Sequence, residues 1–308
     1  MGGSPATLIA RWPSANPQSA IPLLGRALTA NPSRPGISSG RRAVQIRCLR
    51  LPASEQNGKE GRNLYIIRAL DGASEKVSIV VEDPAREGTA RDRKGKGKAA
   101  QQDGEDELMI VEPEGAAGTD YAHGRWTFSS VALPPGAAAS PGPASVFDTF
   151  IQRTLFSAPP PGAPSGQVGS GFWQPRAAAL AIEGFNFSVG GVAAAPGDWD
   201  VKIGSVLVKG GTASGTTKGV VIEVTYLPVP YLPAGSPYVK DFLLSLFPPA
   251  AVRNGEIEIL EVGEEVFQGA GLLDQPDREK GEEEGEWGWQ EKHSAFTYIH
   301  QFKKEGII

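Results

Sequence analysis

Two glutamates at alternate positions, Glu256 and Glu258, are the pairing in this chain that most suggests chemistry. Residues two apart on a strand point to one face, and inside a closed barrel such a pair can hold a divalent metal against a triphosphate. The neighbouring Ile257 and Ile259 argue the other way, because they claim the buried face and leave the glutamates to solvent. The three histidines, His123, His293 and His300, have no second ligand at metal-site spacing, so they read as scattered surface groups rather than a zinc site shared with Cys48. The glycine-rich stretch 210–219 lacks the Gly-Lys-Ser/Thr of a phosphate loop and precedes a strand, so it reads as a hairpin loop. The expectation is a chain without catalytic residues, cofactor or metal.

Composition narrows the class. The 308 residues include 39 Gly and 26 Pro, concentrated in a few stretches, so the remainder suffices for one core. A net charge of −5 opposes general nucleic-acid binding, which needs a basic face against the phosphates. One cysteine, Cys48, permits no intrachain disulfide and fits a reducing compartment. The N-terminus has no basic region leading into an apolar one, Ala6 stands where myristoylation needs Ser or Thr, and no apolar run approaches the ~18 residues of a membrane span. A soluble, intracellular protein is expected, in which the sequon Asn186-Phe187-Ser188 has no consequence.

The elements that must position any site follow from periodicity. Residues 18–30 read as a helix with Ile21, Leu24 and Leu28 on one face, starting near Ile21 because Pro22 suits only a first turn. Residues 43–51 alternate, with Val44, Ile46 and Cys48 opposite Arg47, and 63–70 and 76–82 are further strands. Strand patterns return at 107–113 and 125–133, and Ser145 caps a helix over 145–157. Residues 176–190 form a strand. In 198–210, Trp199, Val201 and Ile203 alternate with Asp200 and Lys202; in 219–227, Val220, Ile222, Val224 and Tyr226 alternate with Glu223 and Thr225. The short loop between these two predicts an antiparallel pair with Trp199 largely buried. Ser236 caps a helix that begins at Pro237 and buries Val239, Phe242, Leu243 and Leu246 until Pro248 and Pro249 stop it. Residues 256–262 read as a strand and 294–304 as a final helix with Ala295, Ile299 and Phe302 together.

Strands come in runs rather than alternating with helices. The fold class is therefore α+β, an antiparallel β-sheet closed into a barrel and flanked by a few helices. One domain is expected over 1–308, with 83–106, 134–144, 158–171 and 274–292 as disordered insertions or loops. The first of these carries Arg93, Lys94, Lys96 and Lys98, a candidate nuclear import signal inside what is otherwise a solvated charge run.

The hairpin resembles the Mediator subunit 20 family, in which a strand of the type D-W/F-x-V-K/R-V/I-G is followed by a partner of the type G-x-x-I/V-E-V-x-Y. Asp198, Trp199, Val201, Lys202, Ile203 and Gly204 match the first, and Gly219, Ile222, Glu223, Val224 and Tyr226 match the second. The helix after Arg11-Trp12-Pro13, the Phe147-Asp148-x-Phe150-Ile151 helix and the ending with Tyr298, Gln301 and Phe302 agree in order. The charged insertion and the Pro/Gly linkers depart from the family, but they fall between elements, where insertion costs little.

The resemblance implies a non-enzymatic structural subunit of the Mediator head module in the nucleus. It implies a heterodimer with Mediator subunit 18, a tether through Mediator subunit 8 to the rest of the head, contact with the TATA-binding protein, and coupling of regulators to RNA polymerase II. No membrane and no direct sequence-specific nucleic-acid contact are expected. The alternative is a tunnel-type, metal-dependent triphosphate hydrolase built on Glu256 and Glu258. Such enzymes carry E-x-E-x-K, and Leu260 stands where the lysine belongs. A third reading is a small-molecule-binding barrel with an apolar lumen open at one end.

Overall fold

The computed structural model describes residues 4–30, 35–51, 61–71, 74–83, 125–133, 173–190, 197–233, 235–273 and 289–308. Outside them lie nearly all of the charged insertion with Arg93, Lys94, Lys96 and Lys98, the strand expected at 107–113, His123, both Pro/Gly linkers with the helix at 145–157, and residues 274–288.

The strands are β1 (Ser4–Pro5), β2 (Thr7–Trp12), β3 (Gly36–Leu51), β4 (Arg62–Asp71), β5 (Ser74–Asp83), β6 (Arg125–Leu133), β7 (Gln174–Val189), β8 (Trp199–Lys209), β9 (Thr217–Tyr226), β10 (Tyr231–Leu232) and β11 (Glu258–Ile259). Nine of them form one antiparallel sheet in the order β11-β2-β9-β8-β7-β3-β4-β5-β6, and β1 pairs separately with β10. The helices are α1 (Pro17–Thr29), α2 (Tyr238–Ser245), α3 (Pro249–Arg253), α4 (Glu264–Gly269) and α5 (Glu291–Lys304). The α+β class with a large antiparallel sheet is as expected.

The expected barrel closure is not observed. The end strands β11 and β6 each have one neighbour among the described residues. The space that a closed barrel would leave as a lumen is filled instead by α5. Its Tyr298, Ile299 and Phe302 join one cluster with Ile9 of β2, Val221 of β9, Ile182 of β7, Ile46 of β3, Tyr65 of β4 and Val80 of β5. The sheet therefore curls around the C-terminal helix, and seven residues of that helix are buried on several sides. The three apolar residues expected on α5 described only one of those sides.

One contact measures the curl. Arg42 on β3 and Glu223 on β9 meet at 3.0 Å although β7 and β8 run between them. Three strand spacings in a flat sheet would separate their backbones by about 14 Å. The ladder positions in line with Arg42 on those two strands are Gly184 and Gly204, which face each other. A Cβ at Gly184 would lie 2.0 Å from the Ile203 carbonyl oxygen, and one at Gly204 would lie 2.6 Å from Ile182 Cγ2. Two side-chain-free positions thus let β7 and β8 bend together and leave the arginine a path across them.

On the convex side α1 and α2 cover β7, β8 and β9. Leu24, Leu28, Val239 and Leu243 pack with Phe187, Trp199, Val201, Ile203, Ile222 and Val224. The helix α1 starts earlier than its proline suggested. Asn16 accepts a hydrogen bond from the Gln18 amide, Pro17 takes the first turn, and Pro22 lies inside the helix. Burial of Ala20, Leu24 and Leu28 outweighs the bond that Pro22 cannot donate. The cap of α2 also differs: Pro237, not Ser236, is the capping residue, and Ser236 Oγ merely accepts from the Tyr238 amide at 3.4 Å. The strand expected over 256–262 shrinks to Glu258–Ile259, paired with Arg11 and Ala10 of β2.

Candidate functional site

The hairpin singled out in the sequence is the centre of the sheet. The strands β8 and β9 pair in register, with Lys202 opposite Glu223, Ile203 opposite Ile222 and Trp199 opposite Tyr226. Alternation sends their side chains to two different surroundings. Trp199, Val201, Ile203, Ile222 and Val224 enter the convex core. Trp199 is 1% exposed, as expected; it stacks on Phe242 with ring centroids 4.0 Å apart and meets Tyr226 at a tilt, 4.8 Å away. Its indole Nε1 has no hydrogen-bond partner among the described residues. Asp198 is exposed at the strand entrance.

The polar members of the same hairpin point into the concave side and are covered there. Glu223 is 4% exposed. Its Oε2 accepts from Tyr298 Oη at 2.9 Å and from Arg42 Nη2 at 3.0 Å, and its Oε1 accepts from Ser294 Oγ at 3.1 Å. Lys202 Nζ stands 3.5 Å from both Glu223 Oε1 and Asp200 Oδ2. The same Arg42 nitrogen also donates to Tyr298 Oη at 3.3 Å. The carboxylate thus ties β3, β8 and β9 to α5.

Charge follows from this geometry. Burial on its own pushes the Glu223 carboxyl up, but Lys202, Arg42 and the bonds from Tyr298 and Arg42 overcome it and hold the group down at about 2. Glu223 raises the Lys202 ammonium, and burial raises the Asp200 carboxyl against the pull of Lys202. Burial also raises the Tyr298 hydroxyl, so it remains a donor. A carboxylate held so low is a poor proton acceptor near neutrality, and Glu223 acts here as a tie between elements.

Beside this cluster, at the N-terminal end of α5, opens a cavity of about 340 Å³. Its walls are Asp200, Lys202, Glu223 and Thr225 of the hairpin, Thr7 of β2, Ala69 and Asp71 of β4, Lys76 of β5, and Trp289, Gln290, Glu291 and Ser294 at the helix start. Neither Glu256 nor Glu258 lines it. Glu256 accepts hydrogen bonds from Trp12 Nε1 at 3.1 Å and Asn254 Nδ2 at 3.1 Å, and these lower its carboxyl. Glu258 is exposed, as its apolar neighbours implied. Among the described residues no three His, Cys, Asp or Glu side chains are arranged to hold a metal ion.

The histidine expectation needs correcting. His293 is 2% exposed and closes the start of α5: its Nδ1 accepts from the Gln290 amide at 2.8 Å. The proton therefore sits on Nε2, which donates to the Leu272 carbonyl at 3.1 Å. Its sequence position beside an acidic loop hid this, because the covering residues Phe267 and Leu272 are distant in the chain. His300 is half-buried beside Phe296, and burial together with Lys304 and Lys303 lowers its pKa. Cys48 is buried as its strand face implied, and burial pushes the thiol up, which keeps it unreactive.

Sequence reasoning missed Arg42, Tyr298 and Ser294 as partners of Glu223. Arg42 lies inside β3, one residue before the stretch 43–51 whose alternation marks a strand, and no local pattern links it to a carboxylate 181 positions away.

The molecule is thus an α+β protein built on a curled antiparallel sheet whose concave face holds its own C-terminal helix. No family model and no curated protein matches the chain. Among solved structures, the PH1819 protein of Pyrococcus horikoshii OT3 is similar over 78% of this chain and 86% of that one, at 9% identity and a TM-score of 0.30. Among the described residues no helix is long and apolar enough to cross a membrane.

Proposed function

We propose that this chain is a non-enzymatic structural subunit of the Mediator head module, working in the nucleus as a heterodimer with Mediator subunit 18. The observation that supports this reading best is spatial. Two stretches that resemble the Mediator subunit 20 pattern, the β8–β9 hairpin and the C-terminal helix, meet in a buried contact, where Glu223 accepts from Tyr298 at 2.9 Å and from Ser294 at 3.1 Å. A pattern of letters spread over the chain is thereby one structural unit, in which Lys202 and Glu223 anchor the helix and Trp199, Val201 and Ile203 build the convex core. The reading makes the sheet a docking scaffold, with Mediator subunit 8 as tether and the TATA-binding protein as a further contact. Large sheets of this kind present strand edges and apolar surface to partners.

The test is co-purification. The tagged protein, expressed in cells and recovered at physiological salt, is expected to bring down Mediator subunit 18 as its main partner, identified by mass spectrometry. Recovery of no Mediator subunit overturns the proposal. The second arm removes residues 84–106. Nuclear accumulation that drops while subunit 18 is still recovered assigns import to Arg93, Lys94, Lys96 and Lys98.

A further inference from the structure

The large sheet repeats itself. In chain order it takes β2, α1, β3, β4 and β5, then β6, β7, β8 and β9. In space the order β2-β9-β8-β7-β3-β4-β5-β6 reads alike from both ends. A two-fold axis between β7 and β3 exchanges β2 with β6, β3 with β7, β4 with β8 and β5 with β9. The two central strands, β3 and β7, have 16 residues each. The repeat extends to side chains on the concave side. Tyr298 of α5 donates to Glu223 of β9 at 2.9 Å, and Lys303 of α5 is paired with Glu82 of β5. In the second half, residues 134–172 stand where the first half has α1, and they lie outside the described residues.

The convex face of β3, β4 and β5 shows the need for a second cover. Cys48, Tyr65 and Val80 form one ladder row and point into the concave cluster. The next row, Leu49, Leu64 and Val81, therefore points to the convex side, and so do Ile66, Ile79 and Val77 at alternate positions. Leu49, Leu64 and Val77 are 1%, 3% and 2% exposed, yet they belong to none of the clusters that the described residues form. The helix α1 meets β3 at the opposite end, with Leu28 against Gly36.

Chain direction says which segment supplies the cover. Four antiparallel pairings separate β6 from β7, so the two run parallel, and the same holds for β2 and β3. Parallel strands of one sheet are joined by a crossover over one face, and such crossovers share one hand. The helix α1 makes the β2–β3 crossover on the convex side. The β6–β7 crossover starts from a strand of opposite direction and returns across the sheet the opposite way, so the same hand keeps it on the convex side, over β3, β4 and β5. The concave side is already filled by α5. Within 134–172, residues 145–157 carry a helical apolar stripe, Phe147, Phe150, Ile151 and Leu155. The Pro/Gly runs on either side are long enough to span strands about 4.8 Å apart. We propose that residues 145–157 are the helix of the second half, docked by that stripe on Leu49, Leu64, Ile66, Val77 and Ile79. The chain is then a duplicated β-α-β-β-β unit, and this outer face is occupied by the chain itself and closed to partners. The inference does not depend on the Mediator reading, since it rests on the sheet and the segment alone.

The test attaches a nitroxide to Thr149→Cys, on the side of the segment away from the stripe. Cys48, the natural cysteine, is buried and leaves the new thiol as the reactive one. Isoleucine methyl NMR of the full chain then compares the nitroxide with its reduced form. The expected result is that Ile66 and Ile79 lose at least twice as much intensity as Ile21 of α1 and Ile222 of β9. Phe150→Ser/Ile151→Ser is expected to abolish that difference and to lower the melting temperature by several degrees. Gln152→Ser/Arg153→Ser, off the stripe, is expected to change neither. Equal losses at the two pairs of isoleucines overturn the proposal, as do larger losses at Ile21 and Ile222 or no loss at all. A difference that survives Phe150→Ser/Ile151→Ser also overturns it, whatever the outcome of the Mediator co-purification.

Discussion

The two faces of the β8–β9 hairpin are built on opposite principles, although the same strands supply both. The convex face is a conventional apolar core in which Trp199, Val201, Ile203, Ile222 and Val224 meet α1 and α2. The concave face sets an ion-paired cluster, Arg42, Lys202, Glu223 and Tyr298, among apolar neighbours and locks α5 onto it. An apolar contact tolerates small slips, because it is non-directional. A buried carboxylate with three hydrogen-bond donors from β3 and α5 and the Lys202 ammonium of β8 beside it does not, since any shift leaves a charge unpaired at several kcal/mol. The convex side supplies adhesion, and the concave side fixes which way the C-terminal helix sits in the curl.

The largest effects should come from breaking either face. Trp199→Ala removes a fully buried ring stacked on Phe242 and is expected to cost about 3–5 kcal/mol in chemical melts. Glu223→Gln should cost a similar ~3–5 kcal/mol at neutral pH, because Arg42 is left buried without its counter-charge. The two variants differ in kind. Salt and pH should change the loss caused by Glu223→Gln and leave that of Trp199→Ala alone. Tyr298→Phe sharpens the contrast, since it keeps the ring and deletes one bond to a charged acceptor, at about 1.5–3 kcal/mol. Gly184→Ala tests the curl itself. A methyl against the Ile203 carbonyl forces β7 and β8 apart and should cost about 1–3 kcal/mol. Lys209→Ala, which breaks an exposed pair with Glu183, should change stability by less than about 1 kcal/mol.

How legible these faces were in the sequence differs between them. The convex face was readable, because alternation in 199–203 and 220–226 and the helical stripe of Leu24 and Leu28 are local signals of one-sided burial. Val44, Ile46 and Cys48 against Arg47 were readable for the same reason. The strand β2 escaped notice, since Thr7, Ile9, Ala10 and Arg11 are buried between two strands and show no alternation. The helix α5 was found, but burial of Phe296, Thr297 and Tyr298 together requires a sheet wrapped around it, and no helical stripe announces that. The barrel expectation followed correctly from the run of strands and failed at closure, which depends on what fills the inside.

Both readings of the concave cluster, as a tie for α5 and as the wall of the cavity, require that Glu223 be ionised and paired in the folded state. The direct measurement is the difference in unfolding free energy between the natural chain and Glu223→Gln, followed from pH 7 downward. In the folded protein the Glu223 carboxyl lies at about 2, below the ordinary carboxylate value of 4.5, so its contribution is complete above pH 4.5 and disappears as the pH falls through about 2. A shift of that size corresponds to a contribution on the order of 3 kcal/mol. The natural chain should therefore lose its advantage over the variant between those two values and match it near pH 2. A gap that stays constant down to pH 2 would contradict the account, because the stability of the concave face would then owe nothing to the charge on Glu223.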